Sequence, residues 1–598
     1  MIEKIKKISQ ENQKIIWIIA SILLVIGLNM SIDVAQNKIY FNGNEIIWLM
    51  ICVFLFFILK KANQYKEKRL TICSLVLGIL FTIFQILGIM TKGNWIVHEV
   101  IFSKKVLLFI IIKFLVYSIL FTNIVKIILK YLENINWTKM GKKDLFKPTL
   151  KTFLIIAVLF MIAWMPYFLN YYPGITSYDT NYQLMQGYGV QPYSNHHPVL
   201  HTLIITTIVK IGYAMTNSYN FGIALCAIIQ MLACSITFSF VIYYMAKRNI
   251  HTIIKTITFL FFAFVPFVPQ FSIAIWKDVP FTLCMVWFVI AIIDMVTGEE
   301  KLLKSIKYNI LFMLLITLLM FFRNNGVYII ILTLPFLIWG KRKYWKRLLF
   351  LFLLPIVIYY VITGPIYSKL NIEKSSPKEM LSIPMQQMAR IVTYRSEELS
   401  QEDKEVIAQY IPIERVAELY NPTISDPIKN LFNDGTFRQN KLNLVKLYIK
   451  LALKFPGETL EALVGNTYGY YYPEVVTYSV ATGTYTSPFE NEQFMDIHLD
   501  PIIKIPFIDN MITAIYDKEI PIISLLANIG FTFWIFMLLI TYCIYQKKYS
   551  CLLPYVPIVI LYLTCLASPV SGELRYIYSM FTCLPLFIGF SLKSIDKE

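Results

Sequence analysis

A carboxylate and three imidazoles share one polar stretch. Tyr172-Pro-Gly-Ile-Thr-Ser-Tyr-Asp179-Thr-Asn opens it, and Tyr193-Ser-Asn-His196-His197-Pro-Val-Leu-His201 closes it with three of the chain's six histidines. Asp179 is of the type that takes a proton from an attacking hydroxyl, and His196 or His197 of the type that orients a reactant. Fixed cations lie elsewhere, in Gln270-Phe-Ser-Ile-Ala-Ile-Trp276-Lys277-Asp278-Val-Pro280, in Phe322-Arg323-Asn324-Asn325-Gly326 and in Ser568-Pro-Val-Ser571-Gly-Glu573-Leu-Arg575-Tyr576. Ser382-Ile-Pro-Met-Gln386-Gln387-Met-Ala-Arg390 and Gly465-Asn466-Thr-Tyr468-Gly-Tyr470-Tyr471-Tyr472 add amides, phenols and another guanidinium. Cations hold phosphate by charge-assisted hydrogen bonds, and aromatic and amide groups suit a sugar. As a set these residues suit a lipid-anchored, phosphorylated sugar donor.

Each piece also has a plainer reading. Asp179 can cap an interfacial helix, and Pro198 makes His196 and His197 residues of a helix start. Lys277 and Asp278 can pair with each other, as can Glu573 and Arg575, while Arg323 and the tyrosines can anchor span ends at the interface. The mixture on one side of the membrane is what those readings leave unexplained.

The elements that must position these groups are membrane spans. The chain has 598 residues, 57% hydrophobic and 15% charged, with mean hydropathy +0.59. No soluble domain buries that much apolar surface. The net charge of +18 is distributed in short clusters beside apolar runs, which speaks for topology and against a nucleic-acid partner. The nine cysteines lie in or beside apolar runs without a CxxC pair, so neither a zinc site nor a disulfide scaffold is expected. The Lys-rich start is followed by a spanning run without a cleavage site, which predicts a cytoplasmic N-terminus.

About fourteen runs reach spanning length. With that number every basic cluster, the C-terminal tail included, is cytoplasmic. One further run, Pro198 to Met215, would invert the later loops if it crossed. It therefore reads as an interfacial or re-entrant helix on the outer face, with His201 and Lys210 snorkelling to the headgroups. The resulting plan is an appended four-span bundle with a basic linker over 1–149, a transmembrane core over 150–367 whose first outer loop is 170–220, an extracytoplasmic soluble domain over 368–520, and closing spans over 521–598. Helix-like pieces in that domain are 400–410 and 426–456.

The pieces Tyr172-Pro-Gly-Ile-Thr-Ser-Tyr-Asp179-Thr, Asn195-His196-His197-Pro198-Val-Leu200, Trp276-Lys277-Asp278-Val-Pro280-Phe, Arg323-Asn324-Asn325-Gly326 and Glu573-Leu-Arg575-Tyr576 together resemble the GT-C superfamily of integral-membrane glycosyltransferases, nearest to a group of polytopic proteins of Gram-positive bacteria. The resemblance covers about residues 150 to 592. It implies an all-α polytopic fold with a GT-C-like core and an outer-face juxtamembrane helix. It also implies an inverting transfer of sugar from a polyprenyl-phosphate donor to a cell-envelope glycan, glycolipid or protein acceptor, outside the plasma membrane. By resemblance Asp179 is the general base. Lys277, Arg323 and Arg575 are donor-phosphate ligands, and His196 positions donor or acceptor. His197, Asp278, Asn324, Arg390, Tyr468 and Glu573 complete the expected donor and acceptor site. No cofactor is required; Asp179 with His196 or His197 has suitable types for a divalent metal, but the loop has a single acid. Many relatives carry paired acids there, whereas Asp179 stands between Tyr178 and Thr180. An outer-face glycan polymerase or ligase, or a lipid-linked-glycan flippase, are the alternatives. The first needs no acidic base, and the second predicts ionisable groups at span centres, which are nearly absent.

Overall fold

The computed structural model describes residues 2–34, 36–92, 103–135, 137, 145–298, 304–475, 495–567 and 570–593, with backbone only over 2–12. Among the basic clusters and motifs, the side chains of 4–7, residues 139–144, 301–303 and 594–598, and Ser568-Pro569 lie outside the described side chains. The chain is a helical, multi-pass membrane protein. Nine described helices are long and apolar enough to cross a bilayer, or ten if the bent pair Thr252–Phe264 and Phe267–Ile273 is one span. Four shorter apolar helices accompany them: Gln13–Asn29, Ile306–Phe322, Gly326–Gly340 and Ile529–Tyr545. One departure from an all-α chain is a small antiparallel hairpin, Met30–Asp33 with Lys38–Phe41.

The largest core runs through these helices and is aromatic at its centre. Trp164 stacks on Phe160 and donates its indole N–H to the Phe262 carbonyl, so a polar atom in an apolar layer keeps a partner. The N-terminal bundle is docked as well as appended. Phe81 and Phe84 pack on Trp534, and Tyr545 donates to both Glu67 and Glu133, each of which also holds Lys130.

The inserted segment has a core of its own, built from Met385, Met388, Ile407, Tyr410, Ile428, Leu444, Leu447 and Leu451. Gln401–Tyr410 is a helix capped by Ser400, as its sequence implies. The expected single piece over 426–456 is instead three helices, Asp426–Lys429, Asp434–Gln439 and Lys441–Lys454. Asn433 breaks it physically, because its side chain accepts the Thr436 N–H and caps a new helix. Similarly, the closing spans begin at Ile529, capped by Asn528, rather than at 521.

The run after Pro198 is the helix Val199–Thr216, long and apolar enough to span by length and composition. Asn217 ends it in the left-handed conformation, and Ser218 caps the following helix, Tyr219–Lys247, so the two form a hairpin. They meet closely at Gly212 and Gly222. The expected snorkelling of His201 does not occur, whereas Lys210 is exposed. His201 is buried with Nδ1 against Gln183 Oε1 at 3.1 Å, and Lys210 donates to the Gly187 carbonyl at 3.0 Å over the Tyr188 ring. The reason is a short polar helix, Tyr178–Gly187, that lies along this face and supplies partners there.

Candidate active site

The helix Tyr178–Gly187 exists because Ser177 and Thr180 close its first turn, with the Ser177 N–H donating to Thr180 Oγ1 at 3.3 Å. Thr180 then donates to the Ile275 carbonyl at 2.7 Å, and Ile175 exchanges backbone bonds with Ile273 and Ile275. These bonds bring the Asp179 turn against the segment that carries Lys277. That segment is fixed from behind by Gln230, whose Nε2 donates to the carbonyls of Phe271, Ser272 and Ala274.

Two cations therefore converge on one carboxylate oxygen. Lys277 Nζ is 3.3 Å and Arg575 Nη1 3.2 Å from Asp179 Oδ2. Lys277 also donates to His197 Nδ1 at 2.9 Å. The His197 ring stacks on Tyr182 and meets His196 edge-on. Burial acts to raise the Asp179 pKa, but Lys277 and Arg575 overcome it and hold the carboxyl well below the usual carboxylate range. Burial, and then Lys277, depress both His196 and His197, so both imidazoles are neutral at physiological pH.

A second pair adjoins the first. Asp278 is 1% exposed, with Arg323 Nη1 at 3.3 Å and no hydrogen bond to either carboxylate oxygen among the described residues. Arg323 donates to the Tyr576 carbonyl and lies over the rings of Tyr576 and Phe281. Glu573 caps the helix Leu574–Leu592 by accepting the Arg575 N–H at 3.4 Å, and its Oε1 is 3.7 Å from Arg575 Nε. Burial, only partly offset by Arg575, pushes the Glu573 carboxyl up to about 7. Its charge is therefore half present at neutral pH.

The adjacent reading of Lys277 with Asp278 is replaced by longer-range pairs, Lys277 with Asp179 and Asp278 with Arg323, while Glu573 and Arg575 do pair and Arg575 reaches Asp179 as well. Asn324 donates to the Asn195 carbonyl and so ties the Arg323 loop to the histidine loop. His196 faces Glu379 at 4.0 Å. Two expected residues are placed in other surroundings. Arg390 is buried inside the inserted domain against Glu461, Tyr420 and Tyr394, and Tyr468 stacks on Tyr472 beside the N-terminal bundle. Trp276 and Tyr576 form ring walls over Arg575, and Tyr182 does so over His197. Tyr182 was findable, since it is three residues after Asp179 and on the same helix face.

The inserted domain holds two of the site's loops. Asn195 donates to the Glu373 carbonyl and Glu373 to the Tyr193 carbonyl; Ser571 donates to Thr423, and Gly469 to Ser571 Oγ. No group of three or more metal-ligating side chains occurs among the described residues.

One family profile, DUF6020, described as a family of unknown function, matches residues 189–595. That range takes in His196, Lys277, Arg323, Glu573 and Arg575 and begins after Asp179. No curated protein and no solved structure matches the chain.

Proposed function

We propose that this chain, which belongs to the DUF6020 family, is a GT-C-like glycosyltransferase of the plasma membrane that moves a sugar from a polyprenyl-phosphate donor to an acceptor on the extracytoplasmic face. The observation that carries this reading is the convergence of Lys277 and Arg575 on a single oxygen of Asp179. Two cations on one carboxylate leave a positive surplus at partly exposed side chains, where a phosphodiester supplies the missing negative charge.

The steps follow from the same geometry. Donor phosphate takes Lys277 and Arg575, with Arg323 beside them. Asp179, relieved of its cations, gains basicity and accepts the proton of the acceptor hydroxyl. The acceptor oxygen attacks the anomeric carbon as the bond to the phosphate oxygen breaks, and the phosphate leaves with the bonding electrons on the cations. A single displacement inverts the anomeric centre. Neutral His197 keeps Lys277 aimed, and the Tyr182 and Tyr576 rings suit the faces of a sugar. The sidedness rests on the basic clusters.

The test is transfer from a polyprenyl-phosphate sugar by the purified chain in proteoliposomes. Asp179→Asn is expected to lower turnover by at least ~100-fold, the usual weight of a general base. Full activity of that variant, with the protein inserted and folded, removes the base assignment and favours the polymerase or ligase chemistry that needs no acid.

A further inference from the structure

The helix Lys441–Lys454 is apolar on two opposite sides. Leu444, Leu447 and Leu451 enter the core of the inserted domain. Leu442, Val445, Ile449 and Leu453 point the other way and are 75, 47, 51 and 78% exposed. At about 100° per residue these four fall in one sector of roughly 80°, directly behind the core-facing three. A helix of a water-surrounded domain has one such stripe.

The borders of the second stripe are cationic. Lys441 flanks it on one side and Lys446 and Lys450 on the other, Lys454 lies nearer the core-facing side, and the helix has no acidic residue. Lys450 also holds Asp403, and Lys454 the Glu398 carbonyl, while Lys441 and Lys446 are exposed. The domain is joined to a span within one helix of this face. Pro456–Thr467 follows directly and packs on the span Lys68–Lys92, where Tyr472 covers Gly88 and Glu474 pairs with Lys92.

We infer that the Leu442, Val445, Ile449 and Leu453 face of this helix is seated in the headgroup–acyl boundary of an anionic lipid leaflet. Apolar side chains enter the acyl edge, and the lysines on either side meet lipid phosphates. A second copy is disfavoured as occupant because its own lysine borders would oppose these across the contact. The seat fixes the height of the inserted domain above the bilayer. Glu373 and Thr423, which hold the histidine loop and the last loop, are thereby fixed with it. The inference does not depend on the reaction catalysed.

The experiment uses the full chain in nanodiscs, with Cys52 and Cys73 replaced by Ser because the other seven cysteines are buried. A bimane probe on Leu442→Cys or Leu453→Cys is read for quenching by doxyl groups at the 5-position of the lipid chains, with exposed Glu402→Cys as control. Strong quenching at 442 and 453, none at 402, and several-fold more in phosphatidylglycerol than in phosphatidylcholine is the expected result. Absence of doxyl quenching at 442 and 453 would overturn the proposal, whether another protein copy, another part of this chain or water covers the face. Quenching that ignores lipid charge would overturn the anionic part.

Discussion

At the residue scale, the site is a set of shared charges whose balance is movable. Asp179 is ionised across the physiological range because Lys277 and Arg575 hold it, so it imposes no titration near neutrality. Glu573 does, since burial brings it to about 7 beside Arg575, with Asp278 and Asp179 also facing it. Below that pH Glu573 is neutral and the cations have their full surplus; above it the new negative charge draws on Arg575 and cancels part of the surplus. The apparent affinity for an anionic donor is therefore expected to weaken as pH rises from 6 to 8, by several-fold. Glu573→Gln should abolish the dependence and keep the low-pH affinity. A pH series of KM for the donor reads this, and an unchanged slope in the variant refutes it. Lys277→Gln tests the other half, with donor KM rising by at least ~10-fold from loss of one charge-assisted contact of about 1.5–3 kcal/mol.

The candidate residues themselves were legible because Asp, His, Lys and Arg beside apolar runs are conspicuous. Their partners were not, since Asp179 and Arg575 are separated by 396 positions and only the fold brings them together. For the same reason Arg390 read as a ligand from its type alone, although it is spent on Glu461 within the inserted domain's interior.

At the element scale, the helix Val199–Thr216 decides the topology. Hydropathy alone allows it to span, and the flanking charges argue that it does not. Its contact with the polar helix Tyr178–Gly187, through Gln183 and Gly187, runs from His201 to Lys210. A helix so accompanied is expected at the interface, with both ends on one side. Ser194→Cys and Asn217→Cys should both react with a membrane-impermeant maleimide in intact cells. Protection of 217 alone would mean that the helix crosses. The polar helix could be seen in the sequence only as an amphipathic stretch, because its buried face is covered by another helix rather than by lipid.

At the scale of the whole molecule, the inserted domain and the last loop are locked together by backbone. Gly469 and Gly572 meet without room for a Cβ, and Gly572 has φ +74°, where a side chain is strained. Gly572→Ala should displace Glu573 and Arg575, lowering transfer by at least ~10-fold and thermal stability in detergent by about 1–3 kcal/mol. Unimpaired activity would show that this contact does not position the site. By contrast Gly457→Ala, where the added methyl meets open space, is the matched control.

The amino-acid sequence by itself determined the material of this protein. Apolar runs of bilayer length must be helical, because backbone polar groups have no other partner in hydrocarbon, and the polar segments between them carry the candidate site residues. It also marked the inserted domain by its change in composition. Only the tertiary structure decided which charges meet. Hydropathy acts along the chain, whereas an ion pair depends on distances set by helix packing, capping residues such as Asn433 and Asn528, and glycine contacts between remote segments. Those short-range events placed Lys277 and Arg575 on the same oxygen of Asp179.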